Sequence, residues 1–159
     1  MKRQKFFFLS IIAICVIAWI LILVAALDVK LVTYKSRDME PTIGYKEMIV
    51  ITERVGNIER GDIVIFRYPA DQSQRFIKRV VGLPGEVITI REGRVFVDER
   101  PLEEKYLDPK LSTSGRSIPE YRIPVGSYYV LGDNRDASND SRYWGPLSVE
   151  LIYGRVMFK

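Results

Sequence analysis

The chain contains no histidine and a single cysteine, Cys15, among its 159 residues. Without histidine, Ser-His-Asp and Cys-His catalysis are excluded, as are histidine-based metal sites. Proton transfer must then use lysine, aspartate, glutamate or tyrosine. One cysteine cannot close an intrachain disulfide. Its setting, "IAIC", also lacks the small residue that a lipoprotein signal places before its cysteine.

Charge is absent from Phe6 to Leu27, where Ser10 is the only hydroxyl. As a helix this run rises about 33 Å at about 1.5 Å per residue, enough to cross a hydrocarbon core of about 30 Å. Lys2, Arg3 and Lys5 precede it, so the positive-inside rule keeps the amino terminus cytoplasmic. The alternative is a signal peptide cut after Ala26 in "VAALD", but the run exceeds the usual apolar region of such peptides. A core helix would show a polar face. The sequence therefore predicts a basic cytoplasmic flank over 1–5, a single-pass transmembrane helix over 6–27 and an extracytoplasmic domain over 28–159.

A basic surplus is also missing from that domain. The net charge is +4, and Lys2, Arg3 and Lys5 account for all but one unit of it. A nucleic-acid partner would require a clustered basic face, so none is expected. Membrane lipid is expected to contact the apolar run.

Beyond residue 27, short β-type runs alternate with turn chemistry. "MIVIT" (48–52), "DIVIFRY" (62–68) and "RFIKRVVGL" (75–83) are rich in β-branched and aromatic residues. "LPGE" has the form of a type II turn, and "VITIREGRVFV" reads as a hairpin turning at Glu92-Gly93. "SYYVLG" and "LIYGRVMF" supply two further strands. No window holds a helical period over ten residues, and the proline-rich region 103–124 reads as an irregular excursion. The fold class expected is mostly β: one anchor helix and one all-β domain.

Three segments carry candidate chemistry: "SRDMEPT", "RFIKRVVGLPGE" and "GDNRDASNDSRYWG". Strand alternation places Lys78 with Phe76 and Val80, and Arg79 with Ile77. Periodicity leaves open which face is buried, and a snorkelling surface lysine is one reading. Arginine stays charged, so of the two only a lysine could serve as a base. In the last segment, Asp136, Ser138 and Asp140 have the spacing of a calcium loop. Ser141 in place of the turn glycine and Leu147 in place of the terminal acid argue against it.

Together the segments resemble, in order, the boxes of type I signal peptidases, the membrane-bound Ser/Lys endopeptidases that remove signal sequences. Ser36, Met39, Pro41 and Thr42 match the first box, Lys78 to Gly85 the second and Gly132 to Gly145 the third. "RGDIVIFRYP" resembles a further strand box. The resemblance implies a domain that handles the signal peptides of exported preproteins at a plasma or thylakoid membrane, without cofactor or metal. It implies Lys78 as general base, Ser36 stabilising the oxyanion, Ser138 orienting the lysine and Met39 in the substrate pocket. Arg79–Asp133 and Asp140–Arg142 are implied as bracing ion pairs. Ser36 as a simple turn residue is the alternative at that position.

The departure lies at the nucleophile, where Asp38 replaces serine. A carboxylate attacking an amide would form a high-energy mixed anhydride, and carboxylate nucleophiles suit glycosides better. A negative charge this close also favours a protonated lysine, which removes the base. Ser36, two residues away in a tight loop, would be misaligned as a substitute. Little or no peptidase activity is therefore expected. The functions left open are a membrane-bound endopeptidase or its disabled form, and an inactive paralogue that binds signal peptides or regulates an active enzyme. A self-cleaving repressor-type Ser/Lys domain shares the site logic, but the anchor and the lack of DNA-binding helices argue against it.

Overall fold

The structure is a computed structural model that describes residues 11–20, 22, 28–113 and 116–158. Residues 11–20 form helix α1, with apolar side chains such as Ile12 and Trp19 exposed. The expected flank 1–5, and 6–10, 21 and 23–27 of the expected span, lie outside the described residues. Among the described residues no helix is long and apolar enough to cross a membrane.

The rest is mostly β, in two antiparallel sheets. The first runs in the order β1 (Val29–Thr33), β2 (Met48–Thr52), β11 (Ile152–Phe158), β3 (Ile63–Tyr68), β4 (Asp71–Gly82), β9 (Ser127–Leu131), β10 (Leu147–Ser148). The second runs β7 (Arg100–Pro101), β6 (Arg94–Val97), β5 (Val87–Arg91), β8 (Ile118–Arg122). One short helix, α2 (Ser141–Trp144), follows β9.

β4 organises the packing. Ile77 joins a cluster with Tyr34, Met39, Ile43 and Ile65. Val80 joins a second with Val64, Phe66 and Val130. Val81 joins a third with Ile88, Ile123 and Leu131 beneath the smaller sheet. Each β-branched side chain fits the pleated, buried surface that its strand presents.

Turn chemistry sets the strand connections. Gly85 has φ 87° and Glu86 N–H donates to the Leu83 carbonyl at 3.2 Å, as a type II turn requires. Glu92 and Gly93 both have positive φ and close the β5–β6 hairpin in the primed-turn manner.

One expectation needs correction. The region 103–124, read as irregular, contains β8 and a 3-10 turn at Pro109–Leu111. Pro119 sits in β8, which forms a sheet edge where a missing N–H is tolerated. A strand that the sequence reading did not name, β1, forms the edge of the larger sheet, with Leu31 and Val32 exposed.

Candidate active site

The site begins with the loop between β1 and β2. Its neck is closed by Tyr34 N–H to the Glu47 carbonyl at 2.8 Å and Lys46 N–H to the Tyr34 carbonyl at 2.7 Å. Inside the neck the backbone winds tightly: Ile43 N–H reaches the Met39 carbonyl at 2.8 Å, and the Glu40–Pro41 peptide is cis. Met39 and Ile43 are fully buried and pin this loop to the first apolar cluster. Asp38 is thereby presented from a braced turn.

The segment after β9 fixes the loop from the other side. Asn134 donates its N–H to the Asp38 carbonyl at 3.0 Å and its side-chain amide to the Arg37 carbonyl at 3.1 Å. Gly132 allows this approach, because a Cβ there would collide with the Asp38 carbonyl oxygen and with Ser138.

Lys78 is fully buried on β4, and its ammonium is ion-paired with Asp38 Oδ2. Its other hydrogen bond goes to the Ile77 carbonyl at 3.0 Å, and the nitrogen lies 5.0 Å from the Phe76 ring centroid. The second Asp38 oxygen accepts a hydrogen bond from the Tyr34 hydroxyl. Burial works to raise the Asp38 pKa, but the charge and hydrogen bond of Lys78, then bonds from Ser36 and Tyr34, outweigh it. The carboxyl is held below its ordinary range. Burial, followed by the adjacent Asp38 charge, pushes the Tyr34 phenol upward.

Two further charge pairs brace the surroundings. Arg79 binds Asp133 through two N–H groups at 2.9 and 2.6 Å, reaches the Gly61 carbonyl at 2.8 Å, and lies 4.0 Å from the Tyr106 centroid. Burial would lower the Arg79 pKa, but the bonds and charge of Asp133 raise it. Arg142 binds Asp140 at 2.8 and 2.9 Å, while Asp140 also accepts the Gly132 N–H at 3.0 Å. Bidentate arginine–carboxylate pairs fix geometry as well as charge. Asp136, at the start of the calcium-like spacing, accepts hydrogen bonds from Thr113 at 3.1 and 2.6 Å.

Ser36 lies near Asp38 and helps to hold its carboxyl below the ordinary range. Ser138 is buried against Gly132 and the Asp38 carbonyl, and its hydroxyl has no hydrogen-bond partner. It does not bond Lys78, whose two bonds end on Asp38 and Ile77. Sequence reasoning missed Tyr34, although a tyrosine four residues before Asp38 in a tight loop was a usable signal. It also missed Asn134, and Arg135, which is ion-paired with Glu104.

The combination of two antiparallel sheets, a buried lysine on β4 and a braced loop facing it defines a signal-peptidase-like domain. The family model described as "Signal peptidase, peptidase S26" matches residues 5–159, and the chain belongs to the type I signal peptidase family. It is 31% identical over 167 residues to signal peptidase IB of Staphylococcus aureus, covering 94% of this chain and 86% of that protein. It is 35% identical over 134 residues to the probable signal peptidase I-1 of Synechocystis, covering 78% and 67%. With signal peptidase I of Pseudomonas fluorescens it shares 33% identity over 150 residues, covering 69% of this chain and 53% of that one. The chain thus spans about half the length of that last relative. A crystal structure of a signal peptidase I from Enterococcus faecalis superposes with TM-score 0.57 at 31% identity, covering 64% of this chain and 98% of the other.

Proposed function

We propose that this chain is a signal peptidase family member that binds signal peptides of exported preproteins at the membrane surface without cleaving them. The anchor is the apolar segment 6–27, with the amino terminus cytoplasmic and residues 28–159 extracytoplasmic, at a plasma or thylakoid membrane. In this reading Lys78 and position 38 form the catalytic pair of the family. Ser36 holds the position of the family's oxyanion residue, Met39 that of a substrate-pocket residue and Ser138 that of the lysine-orienting residue, although here its hydroxyl bonds no partner.

One observation carries the proposal: the Lys78 ammonium is bound by the Asp38 carboxylate. An ammonium held this way has no lone pair with which to take a proton from a nucleophile. The carboxylate is a poor nucleophile toward an amide, and its second oxygen is occupied by Tyr34. The bracing of the loop by Asn134, Gly132 and the arginine–carboxylate pairs is nonetheless complete, which supports retained peptide binding.

The deciding experiment compares the chain with its Asp38→Ser variant in cleaving a preprotein in detergent. Lys78→Ala on the serine background is the control. Only the Asp38→Ser variant is expected to cut, and Lys78→Ala to abolish that cutting. Cleavage by the Asp38 chain itself would overturn the reading, and Ser36→Ala would then identify whether Ser36 attacks.

A further inference from the structure

The larger sheet carries a charge arrangement that the site above does not use. Arg67 of β3 and Arg75 of β4 stand directly opposite each other in register, and both are exposed. Like charges placed this way repel. Nearby acids are otherwise engaged: Glu53 pairs with Lys30 at 2.6 Å, Asp62 lies 3.7 Å from Arg155, and Asp71 accepts from Ser73 and Gln74 at 2.7 and 2.8 Å. Among the described residues, neither Arg67 nor Arg75 has a carboxylate in ion-pair range. Both guanidinium groups instead lie over one ring, Tyr153, at 5.9 and 5.6 Å from its centroid.

This cluster lines a cavity of about 440 Å³. A second cavity, of about 380 Å³, shares Glu53, Arg75 and Tyr153 with the first and extends to Tyr34, Lys35 and Ser36. Through these shared residues the two are contiguous and read as one groove. Its lining contains Lys30, Lys35, Arg67 and Arg75 against the single carboxylate of Glu53.

We propose that Arg67 and Arg75 form a subsite for one acidic side chain of the bound peptide, so that signal peptides with a suitably placed Glu or Asp are preferred. This rests on the peptide-binding reading above. Paired guanidinium groups present donors that match a carboxylate geometrically. An extended peptide repeats its side-chain direction every second residue, so the preference falls at a defined position. Continuity of the groove with Ser36 and Tyr34 favours a side chain of that peptide over a lipid phosphate.

The test uses the full chain in a neutral detergent and fluorescent peptides spanning a signal-peptide cut region. A single Glu, Gln or Lys is moved through the eight or so positions before the cut. One Glu position is expected to bind about fivefold more tightly than its Gln counterpart, the range of a solvent-accessible ion pair. The Arg67→Gln/Arg75→Gln variant should lose that preference while keeping its affinity for the neutral peptide. The Arg67→Glu/Arg75→Glu variant should prefer Lys at the same position, which also shows that it is folded. Equal binding of Glu and Gln at every position overturns the subsite and leaves the peptide-binding reading standing. Failure of every peptide to bind overturns both. If the substitutions instead weaken only binding to phosphatidylglycerol vesicles, the groove serves a headgroup and the subsite is rejected.

Discussion

Lys78, with no exposed side-chain surface, ends on the Asp38 carboxylate, whose side chain is 14% exposed. A buried ammonium and its counter-charge are separately costly and jointly tolerable. Removing the charge from Asp38 as Asp38→Asn should therefore destabilise the fold by about 3–5 kcal/mol at neutral pH. The sign of the pH dependence follows from the depressed Asp38 pKa. Its stabilisation is fully present above the unfolded-state value of about 3.9 and disappears as pH falls through the lower folded-state value. Urea unfolding from pH 7 to pH 2 should show the wild type and Asp38→Asn converging below about pH 4. A gap that does not narrow at all below about pH 4 would contradict the ion pair.

Tyr34 is coupled to the same carboxylate. Tyr34→Phe removes a hydrogen bond to a charged acceptor and should cost about 1.5–3 kcal/mol. On an Asp38→Ser background the charged acceptor is gone, so the same change should cost clearly less. Thermal unfolding of the four proteins in this cycle measures the coupling directly. Additive effects would show that the tyrosine merely packs against the loop.

Ser138 offers a separation of structure from mechanism. Its hydroxyl is buried without a partner in the Asp38 chain, so Ser138→Ala should leave stability unchanged or raise it by about 1–3 kcal/mol. On the serine-restored background the same change should lower the rate of preprotein cleavage, as a lysine-orienting role requires. Undiminished cleavage there would remove Ser138 from the machinery.

Gly132 should tolerate no side chain. A Cβ would meet the Asp38 carbonyl and Ser138 together, so Gly132→Ala should cost about 1–3 kcal/mol. It should also abolish cleavage on the Asp38→Ser background. Limited proteolysis can show whether the loop bearing Asp38 opens first.

Much of the fold could be read from the chain alone. "MIVIT" is the second strand residue for residue, because an unbroken β-branched run between polar ends admits little else. Glu92-Gly93 located its hairpin through the demand for positive φ. Lys78 was recognisable as special only through resemblance, since alternation cannot say which face of a strand is covered. The Tyr34 contact was not legible, because it depends on how a loop folds back on itself. β8 escaped because Pro119 argues against a strand everywhere except at an edge, and edges are a property of the assembled sheet.

β4 gives Ile77, Val80 and Val81 to three separate apolar clusters. A strand shared in this way cannot leave one cluster without loosening the others. The amides of its buried half, from Ile77 onward, should exchange with solvent only when the whole domain opens, so that Lys78 sits in the last part of the molecule to unfold.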